Sequence, residues 1–273
     1  MKIEIVKSDN PNWIVNAQFA DILKYNGINS PEDLWNLSGE SVKKFLKERG
    51  TERAFLKTPD GGQIETYIKR YLPLPFKEYY KSFISLKPIF KFGAIHEWQA
   101  IVNFHSKNIP TMQPIAAGIL KDGKNINITL GITDYKRASD LFASGISKNQ
   151  KLQLIKKIAK LAGKMHSEQF AHQDFYLVHL FVTNKESLVL PIDLQRLLMG
   201  KQFSKRWQIK DLAQLLYSAK DYISNPEILL FWKIYTSLTD PKLFDDKKFI
   251  KKIQAKAARI KNRSDRKKKR KNE

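Results

Sequence analysis

The sequence predicts a protein of the α+β class, in which a sheet-rich first half is followed by a mainly helical second half. Short strand-like runs separated by strong turn residues fill the chain up to about residue 132. Apolar residues at the helical period dominate from residue 151 onward. With 42% apolar residues in 273, the chain can bury a core for two lobes. We therefore predict an N-terminal lobe over residues 1–134, a helical C-terminal lobe over 135–250 and a basic tail over 251–273.

The first half is predicted to be an antiparallel sheet with one inserted helix. Its first element is a short helix, because Ser30 is a favourable N-cap and Pro31 suits the first helical position. The turn sequence Pro-Asp-Gly-Gly at 59–62 then separates two strands of a meander. Apolar residues at helical spacing predict the inserted helix over residues 94–107. The strands are expected over residues 41–57, 64–71, 115–120 and 126–132.

The second half is predicted to consist of amphipathic helices around one loop with unusual chemistry. Residues 151–166 place their apolar side chains on one face of a helix. The loop that follows, residues 170–179, combines two histidines, three aromatic residues and one aspartate. Two short β-like runs and two further helices complete this half; they are expected over residues 180–183, 187–192, 210–222 and 226–237.

The formal charge of +22 is concentrated at the C-terminal end of the chain. Residues 251–273 contain 12 basic and two acidic side chains, so this tail supplies +10, while the other 250 residues carry +12. Such a block is typical of a solvated end, and we expect the tail to be disordered. The alternative is a functional tail that binds the phosphates of anionic lipid or nucleic acid.

The composition excludes several kinds of site and location. Because the chain has no cysteine, it has no disulfide, no cysteine metal ligand and no cysteine nucleophile. No apolar run approaches the roughly 18 residues that a membrane-spanning helix needs. The first residues are charged early and show no apolar run, so we expect no secretory signal and a cytoplasmic protein.

The residues that could carry chemistry match the parts list of a phosphotransferase. His172-Gln-Asp174 is followed five residues later by His179, and then by a hairpin and the sequence Ile-Asp-Leu containing Asp193. This spacing matches a protein-kinase catalytic loop and its metal-binding aspartate. Upstream, Lys69 lies on a predicted strand and Glu97 on the following helix, the order of a phosphate-binding lysine and its carboxylate partner. The order of these parts predicts a two-lobed protein-kinase-like fold that uses ATP and Mg²⁺.

With these residues in this order, the chain resembles the lipopolysaccharide kinase family, the Kdo and WaaP heptose kinases. The resemblance runs over roughly residues 40 to 220 and implies a kinase that phosphorylates a sugar hydroxyl of the lipopolysaccharide inner core, on Kdo or heptose. Gln173 stands where an arginine is usual, and Gln195 where a histidine is frequent, so neither is given a role by analogy. The matching segments are GAIHEWQA at 93–100, IPTM at 109–112, HQDFYLVH at 172–179, IDLQR at 192–196 and RWQIKDL at 206–212.

The resemblance also implies a role for each matching residue. Asp174 would orient or deprotonate the sugar hydroxyl, and Asp193 would hold Mg²⁺ on the phosphates of ATP. Lys69 would contact those phosphates while Glu97 holds Lys69. His179 occupies the position where protein kinases place an asparagine metal ligand, although imidazole suits Mg²⁺ less well than oxygen does.

Two residues outside this set complete the predictions for the site. Gly50 is the glycine in the segment 47–53, where a phosphate-covering hairpin is expected, and no GxGxxG sequence occurs. Asp211 resembles a buried aspartate that braces the catalytic loop, which is a structural role. The alternatives also stand: Lys69 could be an ordinary exposed strand lysine, and His172 is more typical of a structural hydrogen-bonding residue than of an acid–base group.

The acceptor is expected to be small and bound to a membrane surface. Only 17 residues separate Asp193 from Asp211, which is short for the segment with which a protein kinase docks peptides. Between Tyr71 and Phe92, aromatic residues alternate with lysines, as in simple packing or in a surface that rests on anionic lipid. We expect the lipopolysaccharide core glycolipid and an anionic membrane surface as partners, with the protein peripheral on the inner face of the cell membrane.

Two other functions are compatible with the same sequence. The first is a protein kinase acting on serine, threonine or tyrosine. The second is a non-catalytic pseudokinase or basic nucleic-acid-binding protein, in which the tail and the surface would do the binding. No stacking-aromatic RNA motif supports the second, so we expect no specific nucleic acid as a partner.

Overall fold

The structure is a computed structural model that describes residues 2–6, 9–46, 49–73, 93–184 and 188–272. The chain forms two compact units, residues 1–133 and residues 134–273. Each unit contains helices and at least one antiparallel sheet. The α+β class predicted from the sequence is confirmed, since the first unit is mainly antiparallel sheet and the second is mainly helical.

Among the described residues of the first unit, six strands form one antiparallel sheet. Their order is β1-β5-β6-β4-β3-β2, so the strands that follow the inserted helix join the edge of the earlier meander. The turn at Pro59–Gly62 connects β3 to β4 as predicted. The strands are β1 (Trp13–Val15), β2 (Glu40–Leu46), β3 (Arg49–Lys57), β4 (Gln63–Tyr71), β5 (Pro114–Ile119) and β6 (Asn125–Leu130).

Helices cover both faces of this sheet. The described helices of this unit are α1 (Ala20–Tyr25), α2 (Pro31–Asn36) and α3 (Ala94–Ser106). Helix α2 begins as the sequence predicts, because the Ser30 hydroxyl accepts the backbone N–H of Asp33 at 3.1 Å. Buried side chains of α1, α2 and the sheet form one apolar cluster. Helix α3 contacts β4, β5 and β6 and carries Glu97.

Strand β4 separates the two faces residue by residue. Ile68, which is fully buried, belongs to the apolar cluster under α1 and α2. Because successive side chains of a strand point to opposite faces, Lys69 and Tyr71 lie together on the other face, the one that α3 covers. The alternation of one strand therefore places a cationic and a phenolic group beside the first turn of α3.

The second unit consists mainly of helices, which surround two small antiparallel sheets of order β10-β9-β7 and β11-β8. Helix α5 packs against α7, and α6 packs against α8. Helix α5 begins at Lys148, three residues before the predicted start. A capping box stabilises this end, because the side chains of Ser147 and Gln150 each accept a hydrogen bond from the backbone N–H of the other residue. The described helices are α4 (Ala138–Ala143), α5 (Lys148–Ser167), α6 (Lys205–Ala219), α7 (Asn225–Leu238) and α8 (Lys247–Asn272), and the strands are β7 (Tyr135–Arg137), β8 (Phe170–Ala171), β9 (Leu180–Thr183), β10 (Val189–Pro191) and β11 (Leu198–Met199).

The basic tail predicted from residue 251 belongs to helix α8, which continues through Asn272. Phe249, Ile253 and Ala257 recur every four residues and are buried, on the helix that packs against α6. The high density of lysine and arginine hid this narrow apolar stripe. A charged composition predicts disorder only where no face of the segment can be buried.

No helix in the described part of the chain is long and apolar enough to cross a membrane. The surface predicted between Tyr71 and Phe92 lies outside the described residues from position 74 to position 92.

Candidate functional site

The predicted site residues of the first unit form a buried ion pair. The Lys69 ammonium lies 2.6 Å from Glu97 Oε1. The Glu97 side chain is fully buried, whereas 17% of the Lys69 side chain remains exposed. The alternative of an ordinary exposed strand lysine is therefore wrong. The pair has the form of a lysine held by a buried carboxylate.

Glu97 accepts two further hydrogen bonds, both on its second oxygen. The Tyr71 hydroxyl donates to Oε2 at 2.8 Å, and the Asn127 side-chain amide donates to it at 2.9 Å. Tyr71 lies two residues beyond Lys69 on the same face of β4, and Asn127 is the residue directly opposite Lys69 on β6. Three donors from two adjacent strands thus satisfy a carboxylate that is fully removed from water.

The first turn of α3, which carries Glu97, is fixed by contacts at its N-terminus. The backbone N–H of Ala94 donates to the Asn125 side-chain oxygen at 2.7 Å. A Cβ atom on Gly93 would lie 2.6 Å from that oxygen, so a larger residue would require the Asn125 side chain to shift. Gly93 and Asn125 therefore set the position from which Glu97 reaches Lys69.

Arg70, the neighbour of Lys69, serves the opposite face of the sheet. Its guanidinium pairs with Glu52 at 2.6 Å and donates from Nε to the carbonyl of Trp35 at 3.1 Å. These contacts join β4 to β3 and to the last turn of α2. Arg70 is consequently a structural residue, and it does not compete with Lys69 for the same partners.

Gly50 lies within strand β3, opposite Arg70 of β4, and it is buried. The turn between β2 and β3, residues 47 and 48, lies outside the described residues. The role assigned to Gly50 at the nucleotide phosphates stays a prediction.

In the second unit, Asp211 of α6 braces the loop that contains Asp174. Its carboxylate is fully buried and accepts the backbone N–H groups of His172 at 2.7 Å and Gln173 at 2.8 Å. His166 lies 3.4 Å from the same carboxylate. Two charge-assisted bonds to consecutive backbone groups hold the loop in one conformation, as the resemblance implies for this aspartate.

His172 links the loop to the segment before Asp193. Its Nε2 lies 2.9 Å from the carbonyl of Ile192, and its Nδ1 lies 3.2 Å from the backbone N–H of Asp174. Since a carbonyl can only accept and an N–H can only donate, both contacts are satisfied by the neutral tautomer protonated at Nε2. Burial lowers the pKa of His172, which keeps it neutral. The structural interpretation of His172 is therefore the one that the contacts support.

Asp174 presents its carboxylate near the surface, beside an arginine that the sequence analysis did not identify. The Arg196 Nη1 lies 3.2 Å from Asp174 Oδ2 and 3.4 Å from Oδ1. The side chains of Asp174 and Arg196 are 23% and 41% exposed. Arg196 is the last residue of the matching segment IDLQR, and this was the available signal.

Asp193 has a left-handed backbone conformation, which is uncommon for residues other than glycine. Its φ of 64° and ψ of 52° place it in the left-handed region, and Gln173 in the other loop has φ of 67°. Strain in non-glycine residues is typical of positions where function fixes the backbone. The backbone N–H of Ile192 donates to the His179 carbonyl at 3.0 Å, which ties the two segments together next to Asp193.

His179 has one nitrogen assigned by its contacts. Its Nδ1 lies 2.7 Å from the carbonyl of Asp174 and must donate to it, which makes Nε2 the electron-pair donor of the neutral ring. In the described part of the chain, no cluster of three or more histidine, aspartate or glutamate residues could hold a metal ion alone. Mg²⁺ is usually held by one or two carboxylates together with substrate phosphates, and Asp193 fits that requirement.

A comparison with known protein families matches residues 32–235 to the lipopolysaccharide kinase (Kdo/WaaP) family. This range contains Lys69, Glu97, Asp174, Asp193 and Asp211.

Individual relatives extend this match. The lipopolysaccharide core heptose(I) kinase WaaP of Escherichia coli strain K12 is 28% identical over 276 residues, which cover 93% of this chain and 95% of the relative. The protein of the same name from Pseudomonas aeruginosa strain PAO1 is 26% identical over 185 residues, 62% of this chain and 68% of the relative. A solved structure described as WaaP in complex with acyl carrier protein has a TM-score of 0.69 at 23% identity, covering 91% of this chain and 98% of that one. The structural likeness confirms the predicted kinase-like fold.

Proposed function

Because this chain belongs to the lipopolysaccharide kinase (Kdo/WaaP) family, we propose that it transfers the γ-phosphoryl group of ATP to a heptose hydroxyl of the lipopolysaccharide inner core. Membership makes the chain a phosphotransferase with a sugar hydroxyl as acceptor. Heptose is favoured over Kdo because relatives aligned with most of this chain are named heptose(I) kinases.

The observation that carries the proposal is the loop around Asp174. Its backbone is held by the buried carboxylate of Asp211, while the Asp174 carboxylate itself remains 23% exposed. Phosphoryl transfer requires positioning more than covalent chemistry, so a rigid loop with one accessible carboxylate suits the reaction. In this proposal Asp174 accepts a hydrogen bond from the acceptor hydroxyl and takes its proton as the new P–O bond forms, while the bond from the γ-phosphorus to the bridging oxygen breaks and ADP leaves.

Lys69 is proposed to bind the phosphates of ATP. Glu97 holds the lysine in place, and its remaining oxygen is already satisfied by Tyr71 and Asn127. The carboxylate is therefore a fixed support for the ammonium, which can make a charge-assisted bond to a phosphate oxygen. Gly50 is proposed to lie near the same phosphates.

Asp193 is proposed to hold Mg²⁺, with His179 as a second candidate ligand. When bound, the ion would neutralise charge on the phosphates of ATP. Since the described residues contain no three-ligand cluster, we expect calorimetry to detect Mg²⁺ binding only when a non-hydrolysable ATP analogue is present. Tight binding of Mg²⁺ to the free protein would contradict this arrangement.

A protein acceptor is disfavoured by the short path between Asp193 and Asp211. This segment contains the 3-10 turn Leu194–Arg196, the two-residue strand β11 and a second 3-10 turn before α6 begins at Lys205. Nothing in these 17 residues resembles a docking segment for a peptide.

The test is direct phosphorylation of a defined acceptor. Purified protein, ATP, Mg²⁺ and a dephosphorylated inner-core oligosaccharide should give a new sugar phosphomonoester, detected by phosphorus NMR. Asp174→Asn should abolish it, whereas Asp221→Asn, an exposed aspartate with 79% of its side chain accessible, should not. An acceptor that ends in Kdo and lacks heptose separates the two sugars, and transfer to neither would refute the proposal.

An anionic membrane is proposed as the surface on which this enzyme works. Beyond the packed part of α8, residues 261–272 contain eight basic side chains, one acid and no apolar residue. Basic residues near an acidic membrane contribute about 1 kcal/mol each, so this part of the helix could hold the protein at the surface without insertion.

Vesicle sedimentation tests this second element of the proposal. The full chain should bind vesicles that contain phosphatidylglycerol and not vesicles of phosphatidylcholine alone, and salt should weaken the binding. A chain ending at Ile260 keeps the buried residues Phe249, Ile253 and Ala257 and should fold but lose the binding. Equal binding by the shortened chain would contradict the assignment to α8.

A further inference from the structure

We infer that Arg196, held in place by Gln173, is the positioning residue for the Asp174 carboxylate. The inference rests on the proposed function, because it assigns a role next to the proposed catalytic group. It starts from the contact between Arg196 and the Asp174 carboxylate, two residues that come from different segments of the chain.

Arg196 fixes the rotation of the Asp174 carboxylate. Rotation about the last bond of an aspartate side chain is broad and poorly defined by itself. A single guanidinium nitrogen, Nη1, lies within 3.2 and 3.4 Å of the two carboxylate oxygens. This contact restrains the plane of the carboxylate.

Gln173 in turn fixes the backbone of Arg196. Its side-chain amide donates to the Arg196 carbonyl at 2.7 Å. The backbone of Gln173 is itself held on both sides, by Asp211 at its N–H and by the Gln214 amide at its carbonyl, each at 2.8 Å. Gln173 is only 3% exposed. A chain of buried hydrogen bonds thus connects helix α6 to the residue that contacts Asp174.

This support distinguishes the contact from an ordinary surface ion pair. Exposed ion pairs contribute little to stability. Here two buried amides and a buried carboxylate determine where the arginine stands. Lys210, whose ammonium lies 3.4 Å from Gln173 Oε1, adds a second positive charge on the same side. These hydrogen bonds to Arg196 are better explained by a role in positioning Asp174 than by a role in stability.

The charged groups around Asp174 come from two segments. Arg196 and Lys210 are the cations, from the 3-10 turn and from α6, and Asp211 is a buried anion on α6. His179 contacts the Asp174 backbone carbonyl and not its carboxylate. Within the described part of the chain, Arg196 is the cation that contacts the Asp174 carboxylate oxygens. Its removal should change the orientation of the carboxylate.

Steady-state kinetics test the inference with Arg196→Ala, Arg196→Lys and a control, Arg137→Ala, at an exposed arginine of β7. We expect Arg196→Ala to lower kcat about 100-fold, the size of effect that a misplacement of about 1 Å produces. The KM for ATP and the melting temperature should stay unchanged. Arg196→Lys should retain part of the activity, and millimolar guanidinium should restore part of it to the alanine variant but not to Asp174→Asn.

A double-mutant cycle tests the part played by Gln173. If Gln173 acts through Arg196, Arg196→Ala and Gln173→Ala/Arg196→Ala should differ little in kcat, because Gln173 has no further effect once Arg196 is removed. Additive losses would overturn the role of Gln173. Unchanged kcat in Arg196→Ala, with Asp174→Asn inactive, would overturn the inference alone. Activity in Asp174→Asn would overturn the proposed function as well.

Discussion

The two units of this chain each contain a carboxylate paired with a cation, and the two pairs differ in how they are held. In the first unit, Glu97 is fully buried, accepts three side-chain donors and reaches Lys69 at 2.6 Å. In the second unit, Asp174 is partly exposed and meets a single nitrogen of Arg196 at 3.2 Å. We infer from this difference that Glu97 holds the Lys69 ammonium in position, whereas the Asp174 carboxylate is itself held in position by Arg196.

The same contrast appears in what fixes each residue. Glu97 is placed by its helix, through the contact between Gly93 and Asn125. Asp174 is placed by its loop, through hydrogen bonds from the backbone to Asp211. A buried carboxylate with three partners should matter for folding, and an accessible one with a single partner should matter for chemistry.

The strongest way to break this contrast is Glu97→Gln. The variant leaves the Lys69 ammonium without its counter-charge and turns an amide N–H₂ toward two donors. We expect the free energy of unfolding to fall by about 2 to 4 kcal/mol and the KM for ATP to rise. Urea unfolding of the variant measures the first effect. Glu40→Gln, which removes an exposed ion pair with Arg53, is the matched control and should change the free energy of unfolding much less.

The next effect is that of Asp211→Asn in the second unit. An amide can accept through only one oxygen, so one of the two backbone N–H groups of His172 and Gln173 loses its partner. A buried unsatisfied group costs about 1 to 3 kcal/mol. Thermal unfolding should show this loss, and phosphoryl transfer should fall because the loop is no longer fixed. A variant with native stability and activity would show that the loop is held by other contacts.

The smallest effect on stability is expected from Asp174→Asn, the variant that should abolish phosphoryl transfer. Its carboxylate is accessible to water and has one cationic partner, so the free energy of unfolding should change by no more than about 0.5 kcal/mol. Denaturant unfolding alongside the kinetic assay checks both statements on one preparation. A destabilisation as large as that of Glu97→Gln would remove the distinction between the two carboxylates.

The elements that the sequence missed share a physical cause. Strand β1 and helix α1 have three and six residues, too short for a periodic pattern to stand out. The helix over residues 251–272 was not predicted, because the high charge of this segment masked an apolar residue at every fourth position. In both cases a tertiary contact, with β5 for β1 and with α6 for α8, stabilises a segment that shows a weak local signal.

The sequence by itself determined the class of the fold, the order of its two halves and the position of the candidate residues along the chain. Periodicity and turn residues act over a few positions, and so does the spacing of Asp174, His179 and Asp193. These features can be read without knowing where the chain goes next.

Only the tertiary structure decided which groups meet. Arg196 and Asp174 are 22 residues apart, and Asn127 reaches Glu97 across 30 residues. Such contacts depend on strand register and on the left-handed backbone at Gln173 and Asp193, which the packed fold imposes against local preference. A sequence pattern describes local conformational preference. It does not show which residues from distant segments will contact each other.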